Sequence, residues 1–99
     1  MCEFKIINKT DSSQIGEDVL VLSYTENNEL VFKDVLGIGE KLESALILDV
    51  NTLNQTCIVL QHPLIREFLE LILSIDAKND YKVKIEEFIK SLEDLKKNL

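Results

Sequence analysis

The chain has 99 residues, of which 45% are hydrophobic and 29% are charged. Domains most often contain about 100–150 residues, so this length excludes two independent cores. Eighteen acidic and eleven basic side chains give a formal net charge of −7, and the resulting surface field opposes binding to nucleic-acid phosphates.

The amino-terminal segment carries no recognisable targeting signal. Its first ten residues, MCEFKIINKT, lack the apolar core of a secretion signal, and no later run approaches the ~20 apolar residues of a membrane span. We therefore expect a soluble, cytoplasmic protein with no membrane partner. In that compartment Cys2 and Cys57 are expected to be free thiols rather than a disulfide.

The first 62 residues alternate short apolar runs, which are typical of β-strands, with polar turns. The segment 8–18 is rich in turn formers and is predicted to be a loop, in which a short strand near Ile15 is the alternative. The run at 19–24 is apolar on both faces, which is typical of a central strand. Strands are predicted at residues 2–7, 19–24, 29–35, 41–50 and 56–61.

The stretch 41–50 is predicted to be a strand rather than a helix because its apolar residues alternate. This alternation places four apolar side chains together on one face, namely Leu42, Leu46, Leu48 and Val50. The glycines of the preceding LGIGE segment, residues 36–40, permit a sharp reversal or a bulge. Five or six short strands with brief turns fit a small antiparallel barrel or a tightly curled sheet, since closure removes exposed strand edges.

The sequence changes character at Pro63, after which apolar residues recur at three- and four-residue spacing. Proline is favoured at the first helical position, so we predict a helix from Pro63, a break at residues 76–80 and a second helix, which together form a hairpin. Residues 1–62 carry four basic and ten acidic side chains, or −6, whereas residues 63–99 carry seven and eight, or −1. The predicted organisation is a β unit at 1–62 and a helical extension at 63–99.

Residues that commonly carry catalysis are sparse. The sequence has a single histidine, His62, and it lacks a glycine-rich phosphate loop, a CxxC pair and a nucleophile-elbow serine. Cys57 and His62 are five residues apart, and on a strand this odd spacing points their side chains to opposite faces. We therefore predict that the protein is not an enzyme. Cys57 is predicted to be a small buried core residue, and His62 a polar residue at the strand-to-helix junction.

The most specific chemistry is at Cys2. Removal of Met1 would leave an α-amine and a thiol on one residue, which form a five-membered N,S chelate. If Met1 stays, its amine, the Cys2 amide and the thiolate can surround one metal. Nitrogen and thiolate donors in a plane suit Ni(II) or Cu(II), whereas zinc prefers four tetrahedral ligands. Two chains related by a two-fold axis would complete an N2S2 square, so Cys2 and Met1 are the candidate metal ligands. The alternative is an incidental thiol at a frayed terminus.

Five short segments within residues 1–61 carry a family resemblance. They are the opening MCEF, an acidic EDV before an apolar strand, KDVLG, KLESALILDV, and an LN turn before CIVL. Together they resemble the CooT-type small nickel-binding proteins, and the most specific mark is Cys2 directly after the start methionine. The resemblance implies an SH3-like small β-barrel that forms a homodimer. It also implies a nickel site in the interface with Cys2 of each chain.

The resemblance therefore implies a metallochaperone or nickel store in which one Ni(II) is shared by Cys2 of two subunits, with a nickel enzyme as client. The extension 63–99 has no counterpart in that family, and it can pack on the barrel or lie in the dimer interface. One alternative is a non-catalytic interaction module that uses its C-terminal helices. Another is an RNA-binding small barrel, a role that the charge of −7 opposes.

Overall fold

The computed structural model describes residues 3–78 and 81–99. These residues form seven strands followed by two helices, which confirms a mainly β unit followed by a C-terminal helical hairpin. The strands are β1 (Phe4–Asn8), β2 (Gln14–Val19), β3 (Val21–Tyr24), β4 (Leu30–Lys33), β5 (Gly39–Leu42), β6 (Ala45–Asn51) and β7 (Thr56–Gln61), and the helices are α1 (Pro63–Asp76) and α2 (Tyr81–Lys97).

The strands of the described ranges form two sheets and do not close into one barrel. One sheet has the order β2-β1-β7-β6, and the other has the order β3-β4-β5. All neighbouring strands are antiparallel except β1 and β7, which run parallel. The expectation of an all-antiparallel unit is therefore wrong for this pair. The first and last strands are not joined by a tight hairpin, and such a hairpin is what imposes antiparallel pairing.

A single apolar core lies between the two sheets. Strands β1, β2, β6 and β7 contribute to it from one sheet and β4 from the other, while the two helices, described along their full lengths, contribute none of its buried side chains. Burial of these side chains is the main source of stability for the β unit. The buried core residues are Ile6, Val19, Leu30, Phe32, Ala45, Cys57 and Val59.

The segment predicted to be a loop at 8–18 contains most of strand β2. This strand pairs with β1 through an irregular register, so the alternative of a short strand near Ile15 is confirmed. Asp11 and Asn8 instead close the short loop before β2, where their side chains accept backbone N–H groups two residues later. The loop prediction was therefore too long at its C-terminal end.

The chain passes from one sheet to the other between β2 and β3. Asp18 has a positive φ of 55°, and the Leu20 amide donates to the Lys33 carbonyl at 2.9 Å. The predicted single central strand at 19–24 is wrong, because β3 is the edge strand of the smaller sheet and its first residue, Val21, is exposed. Apolar residues on both faces here reflect two consecutive strands that belong to different sheets.

The predicted strand at 41–50 is also two strands. Ser44 has a φ of 53° and marks the turn from β5 to β6. After this turn Ala45 is buried in the core. A bulge between Ile47 and Asp49 then changes which residues of β6 face the core. The four side chains predicted to share one face are therefore separated. Leu42 packs against the core, whereas Leu46, Leu48 and Val50 are exposed.

The predicted reversal at LGIGE is confirmed. Gly37 has a φ of 78°, which favours glycine, and its amide donates to the Asp34 carbonyl at 3.0 Å. A Cβ atom at Gly39 would overlap the carbonyl oxygen of Phe32 on the paired strand β4. The β4–β5 hairpin therefore requires glycine at position 39, where a side chain has no room, and favours it at position 37.

The helical prediction is confirmed for the described residues. Helix α1 begins at Pro63 and ends at Asp76, and α2 begins at Tyr81, while residues 79–80 of the predicted break lie outside the described ranges. The helices pack as a hairpin, in which the Phe68 and Phe88 ring centroids are 5.9 Å apart. No helix in the described ranges is both long and apolar enough to cross a membrane.

The hydroxyl of Tyr24 in β3 donates to the Ala45 carbonyl in β6 at 2.9 Å and thereby joins the two sheets. Loss of this bond in Tyr24→Phe is expected to lower the free energy of unfolding by about 1 kcal/mol, measured by urea denaturation. Burial raises the pKa of Tyr24. The stabilisation is therefore present below the unfolded-state pKa of about 10 and is lost as pH rises through the folded-state pKa.

The matched control is Tyr81→Phe on α2, which leaves the contact between the sheets intact. Alkaline pH should destabilise the wild type more than Tyr24→Phe. Identical urea midpoints for the wild type and Tyr24→Phe would contradict the role assigned to this hydroxyl.

Candidate functional site

Both predicted metal ligands, Met1 and Cys2, lie outside the described residues. The first residue of β1, Phe4, lines an apolar cavity of about 130 Å³ between the sheets, together with Val19 and Cys57. Strand β1 is hydrogen-bonded on both edges, to β2 and to β7. The strand that follows the predicted ligands is therefore an anchored, central element of its sheet.

Cys57 occupies the core as predicted. It is 1% exposed, and its neighbours in the core include Ile6 and Val59. Burial, followed by the negative charge of Asp49, raises the pKa of the Cys57 thiol. The thiolate, which is the form that binds metals and reacts with electrophiles, is therefore disfavoured at this position.

His62 is exposed and caps helix α1. Its backbone is extended, with φ −161° and ψ 139°, and its Nδ1 accepts a hydrogen bond from the Leu64 amide at 3.2 Å. This arrangement satisfies one of the amide groups that a helix N-terminus leaves without a partner. With Cys57 buried and His62 at the surface, the predictions of opposite faces and of a junction role for His62 are confirmed.

Ser44 is a structural residue that the sequence analysis missed. Its hydroxyl donates to the His62 carbonyl and accepts a hydrogen bond from the Arg66 amide at 3.0 Å, while its own carbonyl accepts from the His62 amide at 3.0 Å. The β5–β6 turn and the first turn of α1 are thereby joined. Ser44 lies within the stretch predicted to be one continuous strand, and its linking role depends on the turn that the structure shows at this position.

An open polar cleft of about 610 Å³ lies where the β5–β6 turn meets α1. Three carboxylates and one guanidinium line it, and Arg66 Nε lies 3.3 Å from Glu70 Oε1. Within residues 3–78 and 81–99, no three His, Cys, Asp or Glu side chains form a group that could hold a metal ion. The lining residues are Glu43, Ser44, Gln61, His62, Pro63, Arg66, Glu67 and Glu70.

The helical hairpin carries two rows of partly exposed apolar side chains, which we name the α1 stripe and the α2 stripe. Within each helix, the spacing of three and four residues places these side chains on one face. Their exposed fractions range from 36% to 49%. The α1 stripe consists of Phe68, Ile72 and Ile75, and the α2 stripe consists of Ile85, Ile89 and Leu92.

Comparison with known proteins assigns no family to this chain. No family model matches the sequence, and no curated protein sequence matches it significantly. The function is therefore inferred from the residues of this chain.

The burial of Cys57 makes a prediction about thiol reactivity. In a Cys2→Ser variant, Cys57 should react with an aromatic disulfide reagent about a hundredfold or more slowly than a free thiol, because reaction requires opening of the core. In denaturant, one thiol per chain should react with the reagent. A Cys2→Ser/Cys57→Ser double variant gives the background, and full reaction within the mixing time in native buffer would contradict an enclosed thiol.

Proposed function

We propose that this protein binds nickel as a cytoplasmic homodimer, in which one Ni(II) is shared by Cys2 of two subunits. The proposal rests on the burial of Cys57 and on the position of Cys2 in the sequence. Cys57 is enclosed in the core, which leaves Cys2 as the thiol for metal binding. Cys2 also follows Met1 directly in the sequence, so the Met1–Cys2 segment offers nitrogen donors next to the thiol.

The donor set supports nickel over zinc. Each chain supplies a thiolate and a nitrogen from the Met1–Cys2 segment, so two chains supply four donors. Two nitrogens and two thiolates form a square, which suits Ni(II) and Cu(II), whereas zinc sites are tetrahedral and are commonly built from more cysteine or histidine ligands. A two-fold axis through the metal accounts for one ion per two chains.

Storage or delivery of nickel is the role we propose, with a nickel enzyme as client. The resemblance of residues 1–61 to the CooT-type small nickel-binding proteins supports this role. The finer fold assignment belongs to the same proposal: the β unit is an SH3-like barrel that is open between its two sheets. One core shared by both sheets is what supports that assignment.

Titration with nickel tests the ligand directly. Addition of Ni(II) to the full chain should produce thiolate-to-nickel absorption that saturates at one ion per two chains. The Cys2→Ser variant should lose this absorption. The matched control, Cys57→Ala, should retain it, because the Cys57 thiol is enclosed in the core. Unchanged absorption in Cys2→Ser, or saturation at one ion per chain, would overturn the shared site.

Acidification should release the metal. Nickel binding requires the thiol and the amine to lose protons, and their reference pKa values are about 8.5 and 7.7–8.0. Lower pH therefore favours the protonated, metal-free form, and the apparent affinity should fall steadily as pH decreases from 8 to 6. Equilibrium dialysis at several pH values measures the change, and a pH-independent affinity would contradict a thiolate and amine donor set.

A second candidate function is that of an interaction module. It is favoured by the exposed apolar side chains of the α1 and α2 stripes, because several such side chains on one helix face are typical of a protein–protein contact. In this role the helical extension binds a partner surface and Cys2 is incidental. Nickel binding and partner binding are separate properties of the chain, so each can be measured without the other.

A further inference from the structure

The face of α2 that packs against α1 is not its most apolar face. Along the described helix, the half-buried positions are Lys84, Phe88 and Ser91. Two of them contact α1 directly: Lys84 Nζ lies 3.8 Å from Glu70 Oε2, and the Phe88 ring lies against Phe68.

The α2 stripe follows these contact positions with an offset of one residue. Ile85 follows Lys84, Ile89 follows Phe88, and Leu92 follows Ser91. One residue turns an α-helix by about 100°. Helix α2 therefore packs against α1 through a face that contains polar and apolar residues. The side chains of the α2 stripe lie beside this contact and are 36% to 49% exposed.

The whole chain exposes more surface than a compact monomer of its mass. Its accessible area is 7137 Å², whereas a folded monomer of 11.3 kDa exposes about 5,700 Å². Its radius of gyration is 15.6 Å, against about 12.6 Å for a compact domain of this length. The excess of about 1,400 Å² exceeds the roughly 800 Å² that each partner buries in a standard interface.

We infer that the helical hairpins of two copies of this chain pack together, with the α1 and α2 stripes at the interface. This inference deepens the second candidate function by naming its partner as a second copy. It does not depend on nickel. A two-fold arrangement places the same surface of each copy in the contact, so the α1 and α2 stripes of both copies are buried on dimerisation.

The charge distribution allows this contact. Most of the net charge lies on the β unit, at −6, while residues 63–99 carry only −1. Within the hairpin, α1 has one basic and three acidic side chains, or −2, and α2 has five and four, or +1. Contact of α1 in one copy with α2 in the other brings opposite net charges together, which favours that pairing over α1 with α1.

Sedimentation equilibrium of the full chain in a metal chelator tests the inference. The wild type should have twice the chain mass of 11.3 kDa. The double variant Ile85→Gln/Ile89→Gln should weaken dimerisation by about a hundredfold, because it places four amides in the apolar interface of each dimer. Glutamine is a good helix former, and circular dichroism checks that the helices remain.

The matched control is Glu86→Gln/Lys90→Gln, which introduces the same side chains at exposed polar positions of α2. It keeps the net charge of α2 and should dimerise like the wild type. A second variant, Ile72→Gln/Ile75→Gln, tests the α1 stripe and replaces the first if that variant loses helix. A monomeric wild type in chelator, or equal dimerisation of both stripe variants and the control, would overturn the inference.

Two results separate this inference from nickel binding. A Cys2→Ser chain that remains dimeric in chelator supports the helical interface whether or not the wild type binds nickel. A chain that is monomeric in chelator and dimeric only with nickel overturns the helical interface and supports the shared metal site.

Discussion

Burial of apolar side chains between the two sheets dictates the path of the chain through the β unit. Seven buried side chains from five strands meet there, so the chain must cross between sheets to supply them. Each crossing uses a residue with positive φ, Asp18 before β3 and Ser44 before β6. The same core encloses Cys57 and raises the pKa of its thiol, which disfavours the thiolate form that binds metals.

The helices depend on the β unit in a different way. Hydrogen bonds attach α1 to the β unit: His62 and Ser44 accept from amide groups in the first turns of the helix, and the Ser44 hydroxyl donates to the His62 carbonyl. Leu71 is the buried side chain of that helix. Because the hairpin adds no side chain to the core within the described residues, its apolar stripes stay available for another surface. An acidic β unit and a nearly neutral hairpin thus divide the chain into parts suited to different contacts.

Local pattern predicted which residues form strands and helices better than it predicted how the strands pair. Pro63, the preceding His62 and the periodic apolar residues after them identify the start of α1, because helix capping and periodicity are local properties. The stretch 41–50 shows the limit of such patterns. Its alternation predicts one strand, yet the turn at Ser44 places Ala45 in the core and leaves Leu46 exposed.

The amino-acid sequence alone predicts the mainly β unit followed by helices, the helix start at Pro63 and the core position of Cys57, all of which the structure confirms. The ligands Met1 and Cys2 stay a prediction, because they lie outside the described residues. These predictions follow from composition, local spacing and the chemistry of single residues. The parallel pairing of β1 with β7, the linking role of Ser44 and the face of α2 that contacts α1 are known only from the three-dimensional structure. Each of these results from contacts between residues distant in sequence, and local periodicity carries no information about which distant residues meet.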